Sequence, residues 1–111
     1  MEIPIYKNDL PYTFQMEFDG KNYIIDIEYN LTFDFITMSL SHEDKVLVSG
    51  EKLILNQPLF QCAVDDEGNR DPNFPSVDII PTSCDKTVQR VGFDEFGDIV
   101  ILEIKEVSNN A

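Results

Sequence analysis

The strand pattern of this chain is clearest in residues 12–30, which read Tyr12-Thr13-Phe14-Gln15-Met16-Glu17-Phe18, Asp19-Gly20, Lys21-Asn22-Tyr23-Ile24-Ile25-Asp26-Ile27-Glu28-Tyr29-Asn30. Apolar side chains recur at every second position on both sides of Asp19-Gly20, which is the spacing of side chains on one face of a β-strand. Asp-Gly is a frequent pair in tight hairpin turns. The segment predicts an antiparallel hairpin with one packed face, which comprises Tyr12, Phe14, Met16, Phe18, Tyr23, Ile25, Ile27 and Tyr29.

The rest of the chain continues with short strands separated by turns. The pattern predicts further strands near residues 2–6, 33–41, 45–49, 52–56, 59–64, 76–80 and 99–107. No window of 11 residues shows convincing helical periodicity outside short loop segments. We therefore predict an all-β chain, a single small antiparallel β-barrel or sandwich with one long irregular loop region.

The predicted strand at residues 33–41 changes phase. Phe33 and Phe35 share one face of this strand, whereas Ile36, Met38 and Leu40 share the other. A change of phase within a strand is typical of a β-bulge. We predict a bulge near Phe35.

Length and composition indicate one domain over residues 1–111, with a frayed tail at 108–111. The chain has 111 residues, of which 42% are hydrophobic, enough for one core. Its formal net charge is −13, from 8 Lys and Arg against 21 Asp and Glu. Binding to nucleic acid or to anionic membranes uses clustered Lys and Arg, which this sequence lacks. We expect neither, although an acidic surface suits a conduit that passes DNA without holding it.

The segment 57–98 is rich in proline and turn-forming residues and has only two predicted strands. Its longest polar run, residues 65–73, is expected to form an exposed loop. The aromatic residues of the segment either anchor a partner protein or form a satellite core. The candidate partner contacts are Asp65, Asp66, Glu67, Phe74, Phe93 and Phe96.

The sequence predicts no catalytic, cofactor-binding or metal site. His42 is the only histidine, and its turn neighbours Glu43 and Asp44 do not form a triad with it. The oxygens of residues 65–71 resemble a calcium loop poorly, because the glycine and the bidentate glutamate are not at the required places. Cys62 and Cys84 are expected to be reduced thiols, with a disulfide left open. No leader or membrane span is recognisable, so we expect an intracellular protein at synthesis.

Part of the chain resembles a known family, the small baseplate plug proteins of contractile-tailed bacteriophages. In that family a Phe-x-x-x-Leu-Asp-Gly-x-x-Tyr hairpin is followed by Tyr-Asn and by a strand that ends near Gly-x-x-Leu. The likeness covers roughly residues 1–60 and the last strand, while residues 65–98 have no counterpart. The residues that carry it are Phe14 to Asn30, Phe35-Ile36-Thr37-Met38-Ser39-Leu40, Leu47-Val48-Ser49-Gly50 and Leu53 to Leu59.

The resemblance implies a virion structural protein, made in the host cytoplasm, that packs at the axis of the tail baseplate. Its implied partners are the hub, spike and tube proteins, it is expected to be oligomeric in the virion, and no enzymatic activity or cofactor is expected. Exposed strand edges in so small a protein suit assembly by strand addition. Two alternatives remain open: an acidic β-barrel adaptor of tail assembly or head-tail connection, and an inhibitor that mimics DNA by its charge.

Overall fold

The computed structural model of the chain describes residues 2–18, 20–60, 67, 69, 71, 73–75 and 77–106. These residues form seven strands and one 3-10 turn, Lys7–Asp9. The strands are β1 (Glu2–Ile3), β2 (Tyr12–Phe18), β3 (Lys21–Asn30), β4 (Phe35–His42), β5 (Lys45–Lys52), β6 (Val77–Thr82) and β7 (Ile101–Glu106).

The strands make two antiparallel sheets that do not close into a barrel. One sheet has the order β1-β7-β6 and the other the order β2-β3-β4-β5. The all-β prediction is confirmed. Of the two predicted architectures, barrel and sandwich, the barrel is not observed, because the two sheets stay open.

The predicted hairpin is confirmed with the expected face inward. Phe14 pairs with Ile25 and Met16 with Tyr23 along an unbroken antiparallel ladder. Tyr23 and Ile25 have no solvent exposure. Gly20 adopts a φ of 77° in the connecting turn, where a residue with a side chain would be strained. Asp19 lies outside the described residues.

The predicted bulge near Phe35 is wrong. The pairing of β3 with β4 is regular from Ile24 opposite Ser41 to Asn30 opposite Phe35. Strand β4 begins at Phe35, so the phase of Phe33 is set by a turn and not by a strand. The irregularity lies further along, where the pairing of β4 with β5 shifts between Met38 and Ser41.

Strand β5 also differs from expectation, because it is one strand, Lys45–Lys52, that covers the predicted strand 45–49 and continues through Gly50 and Glu51. The rest of the predicted strand 52–56, residues 53–56, forms no strand. Gly50 bends β5 with a φ of 68°, and its N–H binds the Ser39 hydroxyl oxygen at 2.9 Å. The preceding turn holds Glu43 and Asp44 at φ values of 50° and 65°. Positive φ at both central residues matches the twist of a two-residue hairpin.

A short connection after β5 ties the two sheets together. The N–H of Leu53 donates to the Ile36 carbonyl at 2.9 Å, still along β4. The N–H groups of Asn56 and Leu59 then donate to the carbonyls of Pro81 and Ile79, at 2.7 and 2.8 Å, along β6. The chain thus leaves one sheet edge and covers the edge of the other.

The inner faces of both sheets share one apolar core. Burial alternates along β7, where Leu102 and Ile104 are buried and Ile101, Glu103 and Lys105 are not, as the sequence predicts. The buried hydrophobic residues are Ile3, Phe18, Tyr23, Ile25, Ile27, Ile36, Met38, Leu40, Leu53, Leu59, Phe60, Phe74, Val77, Ile79, Val91, Phe96, Val100, Leu102 and Ile104.

Adjacent isoleucines on β3 provide a test of this strand phase. Ile25 is fully buried, whereas Ile24 is 36% exposed on the outer face. We expect Ile25→Ala to lower the free energy of unfolding by about 2 to 5 kcal/mol, because it leaves a cavity in the core. Ile24→Ala, the matched control, should cost well under half as much in urea unfolding at equilibrium. Equal losses for the two variants would contradict the observed phase.

Candidate assembly surface

The turn between β3 and β4 carries the two most exposed large apolar side chains among the described residues. Leu31 is 82% exposed and Phe33 is 73% exposed. Single exposed apolar residues are common on protein surfaces, but two such residues only two positions apart in one turn are a candidate contact surface. We call residues 31–33 the apolar turn.

A local hydrogen bond and a left-handed aspartate hold the apolar turn in one conformation. The Asn30 side-chain oxygen accepts the N–H of Phe33 at 3.0 Å, as asparagine does in many turns. Asp34 ends the turn with a φ of 54°, a conformation that aspartate tolerates better than most residues. The turn is therefore set by the two polar residues on either side of it.

Asp34 also fastens the turn to distant parts of the chain. Its carboxylate accepts hydrogen bonds from the Tyr29 hydroxyl at 2.7 Å and from the Phe93 N–H at 3.0 Å. The Arg90 guanidinium donates to the same carboxylate at 2.6 Å and also to the Asp34 carbonyl oxygen. We call Asp34 with these partners the Asp34 clamp. It joins the four-stranded sheet to residues 90–93.

The Asp34 clamp shifts the acid-base properties of its members. The Phe93 N–H, the Tyr29 hydroxyl and the charge of Arg90 stabilise the carboxylate and lower the pKa of Asp34 below its usual value. The hydrogen bond to Asp34 is in turn the main reason that the pKa of Tyr29 is raised. Asp34 is thus charged and Tyr29 protonated around neutral pH, the states in which the clamp is complete.

A groove of about 300 Å³ runs beside the apolar turn. Its walls combine the apolar side chains of Phe33 and Ile54 with the cations of Lys52 and Arg90. The Lys52 ammonium lies 5.1 Å from the centre of the Phe35 ring, which places it over an aromatic face. Ile54 is itself 46% exposed, so it extends the apolar surface around Phe33.

Lys7 makes a second set of contacts with residues 93–98. Its ammonium binds the Asp98 carboxylate at 2.6 Å and the Phe93 carbonyl at 3.0 Å. The same ammonium lies 4.9 Å from the centre of the Phe93 ring, which also packs against Tyr29 at 5.4 Å. The Asp34 clamp contacts this irregular part of the chain at Arg90 and Phe93, and Lys7 contacts it at Phe93 and Asp98.

The structure places the predicted contact residues in different environments. Phe74 and Phe96 are buried within the chain, which favours the satellite-core alternative for these two. Phe93 is half-buried and Glu67 is exposed. Asp65 and Asp66 lie outside the described residues. Contact of these six residues with a partner stays a prediction.

Sequence reasoning missed the apolar turn because it assigned Phe33 to a strand. A signal was present in Asn30-Leu31-Thr32-Phe33-Asp34, where two turn-forming residues enclose two large apolar ones. The long contacts of Asp34 with residues 90–93 have no signal in the sequence, since they join residues that are 56 to 59 positions apart.

The residues weighed above as catalytic or metal-binding candidates make hydrogen bonds and packing contacts within the chain where the structure describes them. His42 Nδ1 lies 2.8 Å from the Asn22 carbonyl oxygen, and its ring packs 4.8 Å from that of Tyr23. The Asp71 carboxylate accepts the Asn73 N–H at 2.9 Å. Within the described part of the chain no three His, Cys, Asp or Glu residues gather as metal ligands. Cys84 is an exposed free thiol, and Cys62 lies outside the described residues.

The described residues also include no helix that is long and apolar enough to cross a membrane.

Comparison with protein families gives a match over nearly the whole chain. The family model described as cyanophage baseplate Pam3 plug gp18 matches residues 1–105, which include β1 to β6 and all of β7 except its last residue, Glu106. No curated protein matches the chain. The match extends through residues 65–98, where the sequence analysis finds no counterpart to the family. The predicted resemblance is confirmed: the chain belongs to the family of phage baseplate plug proteins, which are structural proteins of the virion tail baseplate.

Proposed function

We propose that this protein is a plug or hub component at the axis of the tail baseplate and acts by protein–protein assembly. Its partners in this proposal are the hub, spike and tube proteins, and several copies are present in the virion. The family relationship supports a structural role in the baseplate. No step of this proposed role needs a catalytic residue or a cofactor.

The observation that carries the assembly role is the apolar turn held by the Asp34 clamp. Leu31 and Phe33 expose most of their surface to water, which is unfavourable unless a partner covers them. Aromatic and aliphatic side chains that enter a partner's pocket supply much of the energy of typical interfaces. Because the clamp already fixes the turn, little conformational freedom is lost on binding.

The charge of the chain supports a position at the axis, through which the genome must pass. With a formal net charge of −13, the protein repels the phosphate backbone instead of retaining it. Assembly through apolar contacts also tolerates this charge, since it does not require a basic partner at every interface.

Removal of the apolar turn should prevent incorporation without unfolding the protein. We expect Leu31→Ser with Phe33→Ser to reduce the amount of this protein in purified tail particles by at least about tenfold, since anchor residues commonly contribute 2 kcal/mol or more each. The measurement is quantitative mass spectrometry of particles assembled with each variant. Thermal unfolding should show that the variant remains folded.

Val46→Ser provides the control, because Val46 is 63% exposed on β5, away from the turn. This variant should be incorporated normally. If both variants enter particles at the normal level, the apolar turn is not the contact that holds the protein in the baseplate.

The Asp34 clamp should respond to acid in a defined direction. The pKa of Asp34 is lowered in the folded protein, so its stabilising effect is complete above the ordinary aspartate pKa and is lost as pH falls through the lowered value. Asp34→Asn should therefore reduce the Tm at pH 7, and this reduction should shrink as pH falls below about 4.

Asp44→Asn is the matched control for this experiment. Asp44 is exposed and also has a positive φ, 65°, but it takes no part in the Asp34 clamp. Its substitution should leave the Tm at pH 7 nearly unchanged. A Tm difference between Asp34→Asn and wild type that stays constant from pH 7 to pH 3 would contradict the role of the charged carboxylate.

The predicted partner contact of the polar loop needs a separate test. Replacement of residues 65–70 with Gly and Ser, at unchanged length, removes the acidic residues Asp65, Asp66 and Glu67. It keeps Asn73, whose carbonyl oxygen accepts the Tyr23 hydroxyl at 3.2 Å. We expect a folded protein that enters tail particles poorly. Normal stoichiometry in the particles would show that this loop is not an interface.

A further inference from the structure

The two sheets have four edge strands, and three of them are short, covered or interrupted. Strand β1 has only two residues. The outer side of β6 already accepts hydrogen bonds from the N–H groups of Asn56 and Leu59. These two edges offer little backbone to another chain.

The β5 edge carries features that discourage pairing. Lys45 and Lys52 stand at its two ends, Gly50 bends it with a φ of 68°, and its pairing with β4 shifts register. Lysines and bulges are the devices by which natural sheets prevent edge-to-edge association. Strand β5 is therefore an edge strand that disfavours pairing with another chain.

Strand β2 has none of these features. It runs for seven residues, Tyr12–Phe18, without proline or lysine, and its pairing with β3 shows no register shift. Among the described residues, no backbone hydrogen bond joins β2 to any strand or loop other than β3. This leaves roughly 23 Å of regular strand, whose outward N–H and C=O groups have no backbone partner among the described residues.

The side chains of β2 specify the inner face of that further strand. Tyr12, Phe14 and Met16 are only half-buried, although they pack against the core. An added strand with apolar side chains at alternate positions would cover them and continue the core. On the outer face it would lie beside Thr13, Gln15 and Glu17, which are exposed.

Charge specifies the outer face of the added strand. The exposed side of this part of the sheet carries the carboxylates of Glu17, Asp26 and Glu28, and the outward positions of β2 and β3 hold no Lys or Arg. Lys or Arg side chains at the outward positions of the added strand would lie directly beside Glu17 of β2. Asp26 and Glu28 lie one strand further away on β3, roughly 10 Å from the added strand, where their charge still favours a cation. A second copy of β2 would bring more carboxylates, and each copy has a net charge of −13, so self-pairing is disfavoured.

We infer that the free edge of β2 is a strand-addition site for an extended segment of another baseplate protein, in which apolar residues alternate with Lys or Arg. This inference rests on the proposed assembly function and names one of its contacts. The added strand pairs through its backbone, which provides affinity, while the alternating side chains provide specificity. The sheet then has five strands, with β2 in its interior.

Two peptides test the inference on the isolated protein. Val-Lys-Val-Lys-Val-Lys-Val is expected to bind and to slow hydrogen exchange of backbone amides within residues 12–18, detected by NMR. Val-Glu-Val-Glu-Val-Glu-Val should bind at least about tenfold more weakly, because its charges face like charges. Protection of β5 instead of β2, equal binding of both peptides, or no protection of β2 by the lysine peptide would each overturn the inference.

Matched variants locate the effect on the β2 edge. Thr13→Lys with Gln15→Lys should weaken binding of the lysine peptide by about tenfold, since it introduces two like-charge contacts across the strands. Thr87→Lys with Gln89→Lys makes the same changes at the same spacing on another exposed segment. This variant should weaken binding by less than about threefold, because salt screens the repulsion between these distant lysines and the peptide. Equal weakening by both pairs would place the binding site elsewhere.

The same measurement in tail particles separates this inference from the proposed function. Absence of the protein from particles would contradict the baseplate role, and the peptide results would still decide the β2 edge. Presence in particles with unchanged exchange of the β2 amides would overturn strand addition and leave the baseplate role intact. Dimerisation of the isolated protein with protection of β2 would identify a second copy as the occupant and overturn the proposed partner.

Discussion

The inner faces of the two sheets are buried against each other in one core, and the loops and sheet edges are arranged around that burial. Each strand has one apolar face, and neither sheet can leave that face in water. The connection after β5 makes the arrangement specific, because Leu53 pairs with β4 while Asn56 and Leu59 pair with β6. A sheet edge that would otherwise be open is covered by the same residues that bring the sheets together.

Outside this core, the exposed side chains and sheet edges differ in how far other residues cover or hold them. The function proposed for this member of the baseplate plug family rests on that difference. The apolar turn exposes Leu31 and Phe33 but is fastened by the Asp34 clamp, so its exposure does not come from disorder of the turn. The β2 edge is regular, and its outward backbone groups have no partner among the described residues. At the β5 edge, Lys45 and Lys52 disfavour pairing with a further strand. In the proposed function, the apolar turn and the β2 edge are the surfaces that neighbouring proteins cover.

The hairpin of residues 12–30 could be predicted closely because its information is local. Period-two apolar positions define the packed face, and the turn between the strands sets their register. The same local reasoning failed at Phe33, which continues the apolar pattern but lies in a turn. It could not separate partner anchors from core at Phe74 and Phe96, since both roles require an aromatic residue in an irregular segment.

Residue pattern and composition were sufficient to predict the strongly alternating strands, the inward face of each, the acidic surface and the family resemblance. The folded structure was needed to show which strands lie at the edges, which edges are covered, and that Asp34 contacts residues 90–93. The reason is that strand pattern depends on neighbours along the chain. Sheet order and the Asp34 clamp depend on contacts between residues far apart in sequence, which compete with many alternatives and are resolved only when both inner faces must be buried together.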